Sequence, residues 1–185
     1  GMAAMSVVAC SEDALETSPS SSVSGNELLG TATNALVSLN GVYRAMYTAG
    51  VSNSSNTHQC FGITAYNLVA DVMGEDCIMN GQGSGWFWYD CVYNVKSRYT
   101  STGWRSYDMW NGYYTWISNV NYILAEEETM SGSETEKNYV LGQAYAVRAY
   151  SYFMLAQMFS RTYKGHESEP LSLIHISEPT RLRRI

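Results

Sequence analysis

The sequence YVLGQAYAVRAYSYFMLAQMF at residues 139–159 decides the fold class of this chain. Small and apolar residues recur in it at intervals of three and four, the spacing of one face of an α-helix. The residues on this stripe are Leu141, Ala144, Tyr145, Arg148, Tyr152, Leu155, Ala156 and Phe159. Much of the remaining face is also apolar, so we expect a helix that is buried among other helices. Its arginine, glutamines and tyrosines make it too polar for a transmembrane span, and the stretch predicts an all-α protein.

Composition narrows the possible partners of the chain. A length of 185 residues fits one domain. The net charge of −6 and the lack of a basic stripe argue against a nucleic-acid partner. Fifteen tyrosines and five tryptophans suit a sugar-binding or protein-binding face. The alternative is that these rings pack between helices with their hydroxyls reaching water.

The first 26 residues do not have the pattern of a folded domain. Residues 1–9 (GMAAMSVVA) resemble the end of a signal peptide, and residues 7–10 (VVAC) resemble the lipobox of bacterial lipoproteins. Acidic residues and a Ser/Thr-rich tether follow, as in the surface-export signal of Bacteroidetes lipoproteins. We therefore expect Cys10 to be lipid-modified and to anchor residues 10–26 to the membrane, with an ordinary buried cysteine as the alternative.

The last 15 residues have no pattern in common with the chain before them. Residues 171–185 (LSLIHISEPTRLRRI) resemble the translation of a transposon-end sequencing adapter. We therefore expect this tail to be foreign to the gene, which would be interrupted near Pro170, and we assign it no function.

Between the ends, periodicity predicts helices over residues 28–47, 61–73 and 106–127, before the final helix. Gly81 to Gly85 is predicted to be a loop, and it lacks the lysine of a phosphate-binding loop. Ser133 and Glu136 have the spacing of a capping box that begins the final helix. The short linker before Ser133 predicts an antiparallel helical hairpin. Residues 86–107 are aromatic and polar, and an irregular segment is expected there.

Several of these pieces occur together in one known family. The sequences WNGYYTWISNVNYIL (residues 110–124) and LGQAYAVRAYSYFMLAQMF (residues 141–159) resemble the N-terminal part of SusD/RagB outer-membrane lipoproteins. The resemblance covers nearly all of residues 10–169, and its most specific matches include Asn121, Arg148 and Tyr152. We expect these residues and Trp110, which lies at helical spacing, to be structural. Gln143 departs from the resemblance, because family members commonly carry glutamate there; a charge partner for Arg148 is then missing or supplied elsewhere.

The resemblance also implies a fold and a function. The fold would be built from tetratricopeptide-like helical pairs over residues 27–170, although no second copy of the repeat is found at a fixed period. The protein would sit on the cell surface, bound to the outer membrane by its lipid, and capture oligosaccharides for a TonB-dependent (SusC-like) transporter. A helical-repeat scaffold that binds protein is the alternative, and a glycoside hydrolase is a third reading.

The irregular segment supplies the candidate ligand site. Sugars stack their apolar C–H faces on aromatic rings, while Asn, Asp or Arg side chains bond the hydroxyls, and loops carry binding residues more often than helices do. The candidates are Trp86, Trp88, Tyr89, Asp90, Asn94, Trp104 and Arg105. The alternative for any one ring is a place in the core beneath the loop. Arg148 is expected to pair with a buried carboxylate or to extend its head to solvent.

Other chemistry finds little support in the sequence. Cys60, Cys77 and Cys91 do not have metal-ligand spacing, and a pair between Cys77 and Cys91 is left open. The acidic residues occur in consecutive runs, whereas a glycosidase needs two carboxyl groups that face each other across a cleft. No nucleophile motif is present. The sequence therefore predicts a binding protein without a metal, a cofactor or enzymatic activity.

Overall fold

The computed structural model describes residues 28–49, 57–93 and 103–167 of the chain. Cys10, Asn94 and the tail at residues 171–185 lie outside these ranges. The helices are α1 (Ala32–Ala45), α2 (Ile63–Met73), α3 (Trp88–Cys91), α4 (Trp104–Ala125) and α5 (Glu134–Phe159), with a 3-10 turn at Thr57–Gln59. The described part of the chain contains no β-strand beyond a single bridge between Thr31 and Ser131, and the prediction of an all-α protein is confirmed.

Helices α4 and α5 form the predicted helical hairpin, which makes the largest interface between helices. The predicted capping box is present: Ser133 Oγ accepts from the backbone N–H of Glu136, and the Glu136 carboxylate accepts from the N–H of Ser133. These bonds satisfy N–H groups that have no partner at a helix start. Trp116 and Ile117 of α4 and Leu155 of α5 are fully buried, so the core lies along this hairpin.

Helix α5 is less buried than its composition suggests. Its buried residues are Val140, Leu141, Ala144, Val147, Ser151 and Leu155. Tyr145 and Phe153 are 40% and 59% exposed, so α5 is buried against its neighbours on one face and exposed on another. The buried stripe runs through Val140 and Val147 instead of Tyr145 and Arg148. Alanine, methionine and tyrosine occur on both faces, and the periodicity therefore does not show which face meets α4.

Helix α1 is joined to the hairpin at its start. Thr31 caps it by accepting from the N–H of Asn34 at 3.1 Å. The N–H of Ala32 donates to the carbonyl of Ser131 at 2.8 Å, and the N–H of Ser131 donates to Gly30 at 2.9 Å. At its other end, the Tyr43 hydroxyl donates to Gln143 Oε1 at 2.9 Å. Gln143 is thus bound to α1 and not to Arg148.

Glycine allows the chain to pass closely from α1 to α2. Gly62 has φ of 74°, and a Cβ built there would lie 2.1 Å from the backbone oxygen of Met46. Only glycine fits this left-handed position without strain. The same Met46 oxygen accepts from the N–H of Ile63 at 2.8 Å. Helix α2 then ends at Met73, as predicted, with Gly74 as its C-cap.

The segment expected to be irregular over residues 86–107 is partly helical. Trp88, Tyr89 and Asp90 lie in α3, and Trp104 and Arg105 form the first turn of α4. A non-helical location for these residues is therefore wrong. The reason is tertiary: Arg105 is held by partners outside α4, which extends that helix beyond its apolar periodicity. None of the helices in the described ranges is both long enough and apolar enough to cross a bilayer.

Candidate functional site

The centre of the site is a buried ion pair between α3 and α4. Arg105 Nη2 lies 3.0 Å from Asp90 Oδ2, and the two side chains are 1% and 3% exposed. Arg105 Nη1 also donates to the backbone oxygen of Gln59 at 2.7 Å. A buried charge is tolerated only when it is paired and hydrogen-bonded. The pair therefore fixes α3 and the 3-10 turn onto the start of α4.

Two aromatic rings lie close to the guanidinium group of Arg105. Its central carbon is 4.2 Å from the centroid of the Trp104 ring and 5.2 Å from that of Phe87. Such cation–π contacts stabilise a desolvated guanidinium by about 1–2 kcal/mol each. Trp104 is half-buried and Phe87 is buried, so both rings act inside the protein.

Gln59 connects this interior to the surface. Its side-chain oxygen accepts from the N–H of Phe87 at 2.8 Å, which holds Phe87 in a left-handed conformation with φ of 56°. Its side-chain nitrogen lies 3.2 Å from Nε2 of His58. Gln59 therefore positions the backbone before α3 and the imidazole of His58 at the same time.

The outer part of the site is a set of exposed rings, His58, Trp86 and Tyr89, which we call the aromatic surface. The Trp86 and His58 ring centroids are 4.8 Å apart with an interplanar angle of 33°. Trp86 is 50% exposed and Tyr89 is 53% exposed. The nearby Tyr93 hydroxyl donates to the backbone oxygen of Met73, which ties the end of this segment to α2. An exposed aromatic ring can stack on the apolar face of a ligand, while a polar group beside the ring forms a hydrogen bond at the edge of that ligand.

The structure thus separates the predicted site residues into two groups. Trp86 and Tyr89 face solvent, and Trp88 and Trp104 are half-buried. Asp90 and Arg105 are buried and paired with each other, so they stabilise the backbone of the site and do not contact a ligand at its surface. Asn94 lies outside the described residues. Sequence reasoning did not assign His58 or Gln59 to the site, because their roles arise from contacts with distant parts of the chain. Phe87 belongs to the aromatic run at residues 86–89, but its place beneath the surface was not predicted.

A second buried carboxyl group lies near Arg105. Asp108 is fully buried, and its carboxylate oxygens have no hydrogen-bond partner of standard geometry among the described residues. Burial raises the pKa of Asp108 to about 6, while Cys60, Arg105 and Tyr66 act in the opposite direction. The Tyr66 hydroxyl donates to the backbone oxygen of Asp108 at 2.9 Å. Burial also raises the pKa of Tyr66, so this hydroxyl remains a donor.

Comparison with known proteins places this geometry in a family. A family model named SusD-like, described as starch-binding associating with outer membrane, matches residues 63–180. The chain belongs to the SusD-like family. No curated protein and no solved structure matched the chain. The matched range contains α2 to α5 and the buried pair. It also overlaps the tail from residue 171, whose foreign origin stays a prediction.

Membership of the SusD-like family supplies the general function. Its description gives starch binding and association with the outer membrane, and the family is one of binding proteins. The description names neither a transporter nor the residues that contact starch.

The family-motif residues of this SusD-like chain lie in the hairpin. Arg148 Nη1 donates to Asn121 Oδ1 at 3.0 Å, and its guanidinium lies 4.9 Å from the centroid of the Tyr145 ring. The polar partner of Arg148 among the described residues is thus a neutral amide and not the carboxylate that was one of its two expected environments, and the side chain is half-buried. Trp110 packs edge-on against Phe159 with centroids 5.0 Å apart, and Tyr152 packs edge-on against Tyr114 at 6.5 Å. These contacts join α4 to α5.

The cysteines of this SusD-like chain do not form a disulfide in the described ranges. Cys60 is buried, Cys77 is exposed and Cys91 is half-buried, and no disulfide joins any two of them. The suggested pair between Cys77 and Cys91 is absent. In the described part of the chain, no three His, Cys, Asp or Glu side chains come together as metal ligands.

Proposed function

We propose that this chain is a surface-exposed lipoprotein that captures glycans at the aromatic surface and passes them to a TonB-dependent, SusC-like transporter. The observation that carries the proposal is the exposed Trp86 ring, which lies against the exposed imidazole of His58 with centroids 4.8 Å apart. The family description, starch-binding associating with outer membrane, supports a glycan as the ligand. The lipobox-like sequence ending at Cys10 supports the anchor.

The physical basis is a pre-organised platform. The apolar faces of a pyranose ring lose water when they stack on Trp86, and Nδ1 of His58, the ring nitrogen that Gln59 does not contact, can bond a hydroxyl at the edge. The Arg105–Asp90 pair and Gln59 fix the backbone beneath these rings. Less conformational entropy is then lost on binding than for a loose loop. This arrangement fits a protein that holds a glycan and leaves it chemically unchanged.

Affinity electrophoresis in starch-containing native gels tests the ligand site. We expect Trp86→Ala to reduce retardation strongly, because truncating a central aromatic contact costs about 2 kcal/mol or about 30-fold in affinity. Half-buried Trp88 should contribute less, so Trp88→Ala should have a smaller effect. Tyr122→Ala, which removes an exposed ring from α4, is the matched control and should migrate as the parent does.

The outcomes separate the proposed functions. Equal retardation of the parent, Trp86→Ala and Trp88→Ala contradicts the aromatic surface as the glycan site. Absence of retardation in every starch and oligosaccharide gel favours a helical scaffold that binds protein. Release of free sugars from a polysaccharide would instead show an enzyme. Radiolabelled palmitate incorporated into the parent but not into Cys10→Ser tests the anchor, and co-purification of a TonB-dependent transporter tests the partner.

A further inference from the structure

The hydrogen bonds of Gln59 fix the direction in which its side-chain amide points. Its Oε1 accepts from the backbone N–H of the buried Phe87 at 2.8 Å. A backbone N–H only donates, so this end of the amide is the oxygen and the other end is the NH₂ group. Gln59 is buried, and its backbone oxygen accepts from Arg105 Nη1 at 2.7 Å. The amide is therefore held in one orientation.

This orientation determines where the imidazole of His58 carries its proton. The NH₂ nitrogen of Gln59 lies 3.2 Å from Nε2 of His58. An amide nitrogen donates and does not accept, so Nε2 must be the unprotonated, accepting nitrogen of the ring. The tautomer of a histidine is set by the hydrogen bond that one of its nitrogens makes, and a neutral imidazole here carries its proton on Nδ1.

Nδ1 is the ring nitrogen of His58 that is left for a ligand. The residue is exposed, its ring lies against Trp86, and no described residue forms a hydrogen bond with Nδ1. A protonated Nδ1 donates, so the matching ligand atom is an acceptor, such as a hydroxyl, ring or glycosidic oxygen. An ammonium group, as in a deacetylated amino sugar, has no lone pair with which to accept this bond.

We propose that Gln59 holds His58 as the Nδ1–H tautomer, and that this N–H is the donor by which the aromatic surface recognises an acceptor oxygen of a neutral glycan. The second half of this proposal rests on the proposed glycan function, and the first half does not. Gln59 is a positioning residue, because it acts through His58. His58 determines specificity, because it contacts the ligand.

Nitrogen NMR of the full chain with ¹⁵N-labelled histidine tests the tautomer in the absence of a ligand. The protonated and unprotonated nitrogens of a neutral imidazole have widely separated ¹⁵N shifts. At pH 8 we expect a protonated Nδ1 and an unprotonated Nε2 for His58. Its signals are identified by their loss in His58→Asn. A protonated Nε2 in the parent protein would overturn the proposal, whatever the glycan gels show.

Gln59→Glu tests whether Gln59 sets this tautomer. The carboxylate keeps the shape of the side chain and can still accept from the N–H of Phe87, but it replaces the NH₂ group by a second acceptor. Nε2 of His58 should therefore become protonated. His166, whose Nδ1 lies 2.8 Å from the carbonyl oxygen of Thr162, is the internal control, and its signals should not change. An Nε2 that stays unprotonated in the folded variant would contradict the role of Gln59.

Starch-gel retardation, measured against a gel without starch, tests the donor. His58→Asn retains an N–H donor on a short side chain, whereas His58→Asp has the same shape and an ionised carboxylate that only accepts. Both variants lose the contact with Trp86, so that loss cancels between them. We expect His58→Asp to bind starch at least about five-fold more weakly than His58→Asn.

The possible results separate the two halves of the proposal. Equal affinities of His58→Asn and His58→Asp would overturn the role of the donor in glycan recognition. A parent protein that is not retarded by starch would contradict the glycan function and this role together. The tautomer is decided in either case by the NMR measurement on the free protein.

Discussion

Asp90 and Arg105 form an ion pair 3.0 Å long that is almost completely removed from solvent, although the residues lie in different helices. The same guanidinium bonds to the backbone of Gln59. One arginine side chain therefore joins α4 to α3 and to the 3-10 turn, and the aromatic surface rests on this connection.

Breaking the pair should reduce both stability and order at the aromatic surface. Asp90→Ala leaves Arg105 buried without its anionic partner, which costs about 3–5 kcal/mol. Urea denaturation should show this loss, and quenching of Trp86 fluorescence by acrylamide should increase. Replacing both residues by leucine should recover much of the stability, because neither charge is then buried. A double variant no more stable than Asp90→Ala would contradict this account.

The contact between Asn121 and Arg148 should support the hairpin and not the ligand. Arg148→Leu removes the hydrogen bond to Asn121 and the contact with the Tyr145 ring. We expect a loss of about 1–2 kcal/mol in the free energy of unfolding. Glycan retardation should be unchanged at temperatures where the variant is folded.

A double-mutant cycle isolates this pair. Asn121→Ala and Arg148→Leu should be non-additive by about 1 kcal/mol, because each removes the same hydrogen bond. A changed glycan preference at an unchanged melting temperature would place Arg148 at the ligand instead.

Asp108 should make stability fall as the pH rises from 4 to 7. Its pKa is about 6 in the folded protein and about 3.9 in an unfolded chain, so the native state favours the protonated acid. The stabilisation is complete below about pH 4 and is lost as the pH rises through 6. The loss is about 3 kcal/mol for a shift of this size.

Asp108→Asn keeps the shape of the side chain and removes its titration. This variant should be more stable than the parent at pH 8, and the difference should shrink or reverse at pH 4.5. Denaturant titrations of both proteins at the two pH values measure this directly. Lowered pKa values at exposed Glu136 and Glu167 act in the opposite direction, but they occur in both proteins and cancel in the comparison. A stability difference between Asp108→Asn and the parent that does not change with pH would contradict the raised pKa of Asp108.

Gly112 should not tolerate a side chain. A Cβ built there lies 2.3 Å from the hydroxyl oxygen of Tyr66, whose ring is fully buried. Gly112→Ala should therefore destabilise the protein by about 1–3 kcal/mol, because Tyr66 cannot move without disturbing the core.

Gly41 offers a matched control in α1. It also lies within a helix, but no heavy atom comes within 4 Å of its added Cβ. Gly41→Ala should stabilise the protein by up to about 1 kcal/mol through helix propensity. Thermal melts of both variants measure the two changes in stability. Equal changes would show that the contact with Tyr66 does not determine the effect of Gly112→Ala.

The accuracy of sequence reasoning differs between the hairpin and the site. The capping box at Ser133 and the end of α2 at Met73 were predicted correctly, because they depend on residues a few positions apart. For Arg148 the sequence offered either a buried carboxylate partner or a head extended to solvent, and it did not identify Asn121 as the partner. Asn121 is 27 residues away along the chain, and a neutral amide carries no charge signal. The start of α4 at Trp104 was missed because Arg105 is held by groups outside its helix.

The sequence by itself determined that the chain is all-α, where most of its helices lie and which family it resembles. Local periodicity and helix caps carry this information, since the neighbours of a helical residue are set by its spacing. Only the tertiary structure decided that Asp90 and Arg105 are buried while Trp86 and Tyr89 face solvent. Gln59 reaches Arg105 from 46 residues away, and burial depends on such distant contacts, which leave no periodic trace in a short aromatic segment.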